Sequence, residues 1–379
     1  MALCDLDSAR SAQWHEFASV LAQLGAADAE AWDETGRIPE KVIAGLAERR
    51  LLGGLASTAA GGGGLDPLGL GLLAETVGTA SASLASLLTV HSMVIHAVER
   101  FGGTSLKQQL LPRLAGGEVI GAFALSEPGA GTDINAITTE ATLADDGVTL
   151  SGTKTWISFG RDAGVFLVFA RSARGPCACI VEAGAPGVAI EPVDGMLGFR
   201  AARLATLRLD ASPVPAQQII GRPGLGLGMV ALDALNQGRM CIAWASCGAQ
   251  RACLDAAIRH VSERRTSRGT LGDEPAVRSA ICDMRLQLEA SQALTLAATA
   301  ALTRRDADAP QRLMAAKLFA SAGNARTAAR AVELLGAIGC SSRTPVARQF
   351  RDAKVLEIIE GANDMLRVFL GERYIAERA

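Results

Sequence analysis

The sequence predicts a mainly α-helical protein with a β-domain in its middle. A helical domain is expected over residues 1–118, a small β-barrel or sandwich over 119–218, and a helical bundle over 219–379. Three observations carry that expectation. Over residues 12–117 the pattern is helical, with glycine and proline between segments and few β-branched runs. At Val119 the texture changes to short strand-like runs separated by Asp-Asp-Gly, Arg-Gly-Pro and Ala-Pro-Gly, which are turn signals. From Gly226 onward the helical pattern returns, and Val277, Ile281, Met284 and Leu288 mark one apolar seam.

In chain order, the first punctuation is the run Gly61 to Gly64, a connector rather than a phosphate cradle, because no strand and βαβ unit accompany it. Strands are expected at 119–125, 138–143, 148–151, 164–171, 177–181 and 187–193, with the β-domain ending near Val214 and Pro215. Gly224, Gly226 and Gly228 resemble a dinucleotide fingerprint, but Met229 stands where its third glycine belongs, so a loop before a helix is expected. Alanine-rich segments over 310–335 predict closely packed helices.

Composition narrows the function. A chain of 379 residues, 49% hydrophobic, has room for two or three cored domains. No uninterrupted apolar run reaches membrane-span length, and the N-terminus lacks the order of a signal peptide, so a cytoplasmic protein without a membrane partner is expected. A formal charge of −2 without a basic stripe argues against nucleic acid and for a small or carrier-borne substrate. The eight cysteines lack CxxC spacing and read as buried thiols. Cys177 and Cys179 share a strand face, but a metal site would need further ligands nearby; His91 and His96, five apart, do not share a helical face well, no HExxH occurs, and no metal is assigned.

The candidate catalytic group is Glu360, set between Ile358-Ile359 and Gly361. The isoleucines would exclude water and raise the carboxyl pKa, as proton abstraction near neutral pH requires, and Gly361 leaves room for a ligand. The alternative is an acid favoured at the start of the last helix by its dipole.

Three segments decide between these readings: Phe-Ala-Leu-Ser-Glu-Pro-Gly-Ala-Gly-Thr-Asp (123–133), Gly-Thr-Lys-Thr-Trp-Ile-Ser (152–158) and Ile-Ile-Glu-Gly (358–361). They resemble the signature segments of the flavin-dependent acyl-CoA dehydrogenases. Residues 32–39, 101–117 and 348–354 extend the resemblance nearly end to end. It implies that family's fold, ending in a four-helix bundle, and FAD as cofactor. It implies Phe123, Leu125 and Ser126 beside the isoalloxazine, Gly131 and Thr132 at the pyrophosphate, Trp156 packed on the flavin and Ser158 near its N5. Gly336, Ala362 and Asp364 complete the cofactor set, with Arg264 reaching a neighbouring subunit of a homodimer or homotetramer. The implied chemistry is α,β-dehydrogenation of an acyl thioester: Glu360 removes the α-proton, its backbone N–H helps hold the thioester oxygen, and Arg239 tunes it. Gly238 and Gly361 lie at the substrate. Some members carry their base immediately before the residue matching Arg239; here that position is Gly238, so no rival acid occurs.

Departures matter too. Arg264 is followed by Arg265, Thr266, Ser267 and Arg268 where the family's arm carries a stacking phenylalanine; Pro275 and Glu333 stand where glutamines are usual. Weaker FAD binding than the family's norm is therefore expected, through Ser267 and an acid facing the dinucleotide. Residues 351–354, 357–361 and 238–244 resemble a narrower group, the acyl-carrier-protein dehydrogenases of hydroxymalonyl and methoxymalonyl extender-unit biosynthesis for polyketides. The resemblance implies a short, hydroxylated three-carbon acyl group on acyl carrier protein. The alternatives are a general short-chain acyl-CoA dehydrogenase of fatty-acid or amino-acid catabolism, and a flavin-depleted binding or assembly protein. The electron acceptor has no signature in the chain.

Overall fold

The structure, a computed structural model, describes residues 8–131, 133–267, 269–342 and 344–377. Its N-terminal part is helical: α1 (Ser8–Gln23), α2 (Ala29–Thr35), α3 (Glu40–Glu48), α4 (Pro67–Ala80), α5 (Ala82–Phe101) and α6 (Thr104–Ala115). The capping chemistry is local. The Asp66 carboxylate accepts the Gly69 amide at 2.8 Å in front of Pro67, and extended Ser81 ends α4 while its hydroxyl accepts the Leu84 amide at 3.3 Å to start α5. Helix α5, although interrupted by serines, Thr89 and two histidines, is by length and mean hydropathy apolar enough to cross a membrane, and 89% of that stretch is buried as a core helix.

The middle part carries β1 (Gly121–Ala124), β2 (Glu140–Ala144), β3 (Gly147–Ile157), β4 (Val165–Ala170), β5 (Cys177–Glu182), β6 (Val188–Pro192), β7 (Ala205–Pro215) and β8 (Ile219–Ile220). They form two open four-stranded sheets, β1-β4-β5-β8 and β2-β3-β7-β6, so the barrel alternative falls and the sandwich stands. Strand β4 is buried at every position: Phe166 and Val168 face the second sheet, Leu167 and Phe169 pack with the α5 and α6 cluster. A strand covered on both faces reads as an unbroken apolar run. Cys177 and Cys179 lie in the core between the sheets as free thiols.

Strands β7 and β8 were not expected. Ala205, Leu207 and Leu209 alternate inward along β7, but Asp210, Pro213 and Pro215 mask the pattern in the sequence. The strand pairs with β3 through two irregularities, one of them between Lys154 and Ile157.

The C-terminal part opens at Gly226–Ala231 with a π-helical turn where a loop was expected, and continues as α7 (Leu232–Glu263). A small hairpin, β9 (Arg265–Thr266) and β10 (Gly269–Thr270), leads to α8 (Pro275–Arg304), α9 (Ala309–Leu335), α10 (Pro345–Leu356) and α11 (Asn363–Ala376). Helix α10 ties the three parts together. Arg348 donates to Glu30 Oε1 at 3.0 Å and Ala80 O at 2.8 Å, Gln349 reaches Gly78 O at 3.3 Å, and Arg351 pairs with Asp33. The carboxylate of Asp352, raised to about 6 by burial, accepts the Phe199 amide at 2.7 Å. The segment after α10 is thereby held against a framework drawn from all three parts.

Candidate active site

Glu360 lies in the loop between α10 and α11. It adopts a left-handed φ of 55°, followed by Gly361 at 102°. A side chain at such a φ costs about 1–2 kcal/mol, so neighbours must impose the turn. The turn brings the carboxylate against α7. Its Oε2 is covered and has no hydrogen-bond partner, while the residue as a whole is half-buried. A Cβ on Gly238 would stand 2.4 Å from Oε2 and 2.9 Å from Met93 Sδ, so only glycine leaves the carboxylate its place.

Burial pushes the Glu360 carboxyl up to about 7, against the opposing pull of Arg239 and Lys317. The expectation holds for only one of the two isoleucines: Ile358 is 59% exposed, whereas Ile359 packs against the core and Gly238 of α7 lies against the carboxylate. Nor does Glu360 serve as a helix-start acid, since Ala362 occupies the N-cap of α11. Arg239 is buried rather than a surface charge, and its Nε donates to Glu360 O at 3.1 Å and its Nη1 to Asn236 Oδ1 at 3.3 Å. Burial lowers its pKa below the usual guanidinium value, with Glu360 opposing.

A cavity of about 740 Å³ opens beside this group, lined by Gly361, Arg239, Asn236, Leu235, Met365 and Phe369 among others. It is largely apolar with a few polar groups, the usual make-up of a small-molecule site. On its rim, Arg100 donates to Asp233 Oδ1 at 2.9 Å, and Asp233 Oδ2 accepts from His96 Nε2 at 2.6 Å.

The first two signature segments lie side by side, and Ile134, just past the first of them, also lines the cavity. The Thr155 amide donates to Ser126 O at 2.9 Å, which brings Ser126 beside the strand segment that carries Trp156 and leads on to Ser158. Trp156 sits in the β3 irregularity at a φ of 59°, with 58% of its surface exposed. Phe123 is half-buried against Phe169, with ring centroids 5.1 Å apart. Gly131 is exposed, with open space where a side chain would stand, and Thr132 lies outside the described residues. An exposed indole, a neighbouring serine and an open glycine turn suit a planar ring with a phosphate tail.

The other expected cofactor residues lie on the C-terminal helices. Arg264 is exposed at the end of α7, and Gly336 at the end of α9 with a φ of 62°. By helix rise Arg264 is about 37 Å from Arg239, too far to share one group with it in the same chain. Ala362 and Asp364 start α11, where Asp364 is paired with Arg367 at 2.6 Å. Glu333 is paired with Arg330 at 2.5 Å, which removes one of the two supports for weakened cofactor binding. Ser267 is an exposed turn residue, and Arg268 lies outside the described residues.

Two groups were missed in the sequence. Lys317, on α9, is fully buried beneath the Glu360 loop. Its clue was a lysine inside the stripe of Leu313, Ala316, Ala320 and Asn324. The second is the buried pair Lys154 and Glu127, 2.7 Å apart, with Lys154 also donating to Leu125 O at 3.0 Å. Thr138 and Thr139 each donate backbone and side-chain bonds to Glu127. Burial alone would raise the Glu127 carboxyl, but these donors hold it down at about 2. Lys154 falls on the inward alternation of Val148 and Leu150, the signal that could have found it.

With the fold and site in view, similarity to known proteins settles the class. Profiles of the acyl-CoA dehydrogenase N-terminal, middle and C-terminal domains match residues 12–118, 122–212 and 226–375. The chain belongs to the acyl-CoA dehydrogenase family, flavin oxidoreductases that act on CH–CH bonds of acyl thioesters and use FAD. It is 31% identical to mitochondrial isobutyryl-CoA dehydrogenase of Dictyostelium discoideum, over 90% of this chain and 83% of that one. It is 32% identical to the mitochondrial short-chain specific acyl-CoA dehydrogenase of Mus musculus, over 82% and 76%. Among solved structures it is similar to FkbI, for biosynthesis of the methoxymalonyl extender unit of the FK520 polyketide, at 30% identity and a TM-score of 0.89 over 95% and 99% of the two chains.

Proposed function

We propose that the protein oxidises a short acyl thioester, a hydroxylated three-carbon acyl group on acyl carrier protein, with Glu360 as the base that takes the α-proton. The observation that carries the base assignment is a carboxyl raised to about 7 by burial, beside a cavity lined by its neighbours Gly361 and Arg239. A base with that pKa is half-ionised at neutral pH and well matched to a proton whose removal needs assistance. The amide of Glu360 bonds no acceptor among the described residues, which leaves it for the thioester oxygen as charge develops there. Bound FAD supplies the acceptor for the hydride from the β-carbon.

Leu125, Ser126, Trp156 and Ser158 would hold the flavin ring from one chain, with Phe123 behind it and Gly131 and Thr132 at its phosphates. Arg264 and Gly336 would serve from a second copy, in a homodimer or homotetramer, because Arg264 lies too far from its own Glu360. The carrier-protein reading is supported by the likeness to FkbI and by the apolar pair Ile358-Ile359 before the base. The likeness to a short-chain specific acyl-CoA dehydrogenase favours the CoA alternative. Incubating the holoenzyme with matched acyl-ACP and acyl-CoA and weighing the products separates the two. A loss of two hydrogens on the carrier-protein substrate alone supports our reading, and turnover of butyryl-CoA with no carrier-borne acyl group oxidised defeats it.

A further inference from the structure

Two buried cations grip the loop that carries Glu360. Arg239 on α7 takes the carbonyl of Glu360 itself. Lys317 on α9 donates to Gly361 O at 2.8 Å, Asn363 Oδ1 at 3.0 Å and Glu357 O at 3.3 Å. An ammonium has three N–H donors, and each has an acceptor here, placed on both sides of Glu360. Ser321, one turn along α9, donates to the same Asn363 Oδ1 at 3.1 Å. A buried lysine is expensive to desolvate, and nothing in helix packing requires one at this position.

We propose that Lys317 is a positioning residue for the base: it clamps both shoulders of the Glu360 turn and, in its protonated form, supplies a positive charge that favours the carboxylate over the acid. The inference rests on the reading of Glu360 as the base. The strained φ of 55° at Glu360 is the conformation such a clamp would have to impose, and carbonyls bound from below leave the Glu360 amide unengaged. Burial lowers Lys317 to about 7, with Glu360 and Glu357 opposing and Arg239 adding to the fall. Of the other groups facing Glu360, Arg239 is a cation and Cys241 is held as a thiol, its pKa raised to about 12 by burial and by Glu360. Glu357, on the loop itself, is paired with Lys354 at 2.5 Å. Removing the lysine therefore leaves Arg239 alone to favour the carboxylate.

The sign follows. Without the Lys317 charge the Glu360 carboxyl titrates at higher pH, so the acid limb of kcat/KM moves to the alkaline side. The test is the pH profile of kcat/KM for FAD-loaded wild type, Lys317→Met, Lys317→Gln and Glu360→Gln, with whichever of butyryl-CoA and butyryl-ACP the wild type oxidises. Both lysine variants are expected to shift the midpoint up by about one pH unit, a roughly tenfold loss below pH 6.5 that largely recovers by pH 9. Should Met disrupt folding, Gln retains donors for Gly361 and Asn363 and decides the matter. A lower plateau with an unmoved midpoint in the folded variants makes Lys317 merely structural and overturns the proposal. An active Glu360→Gln would instead remove the base assignment, a separate failure.

Discussion

Gly238 and Glu360 occupy one space: a methyl group on the first would stand 2.4 Å from Oε2 of the second. The helix that could carry a side chain at that point leaves it empty, and the carboxylate of a distant loop fills the gap. Gly238→Ala should therefore displace the base. Overpacking of this kind costs about 1–3 kcal/mol, and kcat is expected to fall at least tenfold while FAD remains bound. Stopped-flow reduction of the flavin, read at its visible band, checks this; an unchanged rate constant refutes the contact.

Glu360→Gln removes the proton acceptor without changing shape. Turnover is expected to drop by about 10²–10⁴, the range for loss of a positioned base, with the flavin spectrum intact. A steady-state assay at pH 8 is sufficient.

The same carboxyl sets a stability trend. Its folded pKa, about 7, lies above the ordinary value of 4.5, so the folded state holds the proton more tightly than the unfolded chain. Its contribution to stability is present below pH 4.5 and declines as pH rises toward 7. Glu360→Gln, which cannot ionise, should melt a few degrees above wild type at pH 8 and near it at pH 5. Calorimetry at the two pH values reads the difference.

Lys154→Met would strand the Glu127 carboxylate in the sandwich. Breaking a buried pair from one side costs about 3–5 kcal/mol, and the same change releases the 125–127 segment that Lys154 holds beside Trp156. Reduced thermal stability together with loss of bound FAD is expected. Glu127 has the opposite pH sense to Glu360: held at about 2, it stabilises fully above pH 4.5 and that stabilisation is lost as pH falls toward 2.

Trp156 is exposed, so its truncation removes little core. Trp156→Ala is expected to lower FAD retention on gel filtration by tenfold or more in affinity, while apoprotein melting changes by less than about 0.5 kcal/mol. Equal FAD content in the variant would exclude the indole as a flavin platform.

Much of this molecule was legible in its sequence. Turn residues and the change of period at Val119 marked the β-region, because strand and helix spacing are local properties of the chain. The segments around Ser126, Trp156 and Glu360 carried the family, and its cofactor and reaction class with it. Strand β7 escaped because Pro213 and Pro215 mask an alternation that only pairing with β3 makes plain. What folding alone decided is the state of the base. Periodicity tells which face of an element is apolar, never which element covers it, so Ile358 read as a shield and is exposed, while Lys317 read as part of an alanine-rich helix and lies under the loop. The ionisation of Glu360 depends on groups bonded to its loop from 121 and 44 residues away, and a carboxyl pKa responds to nearness in space rather than in chain.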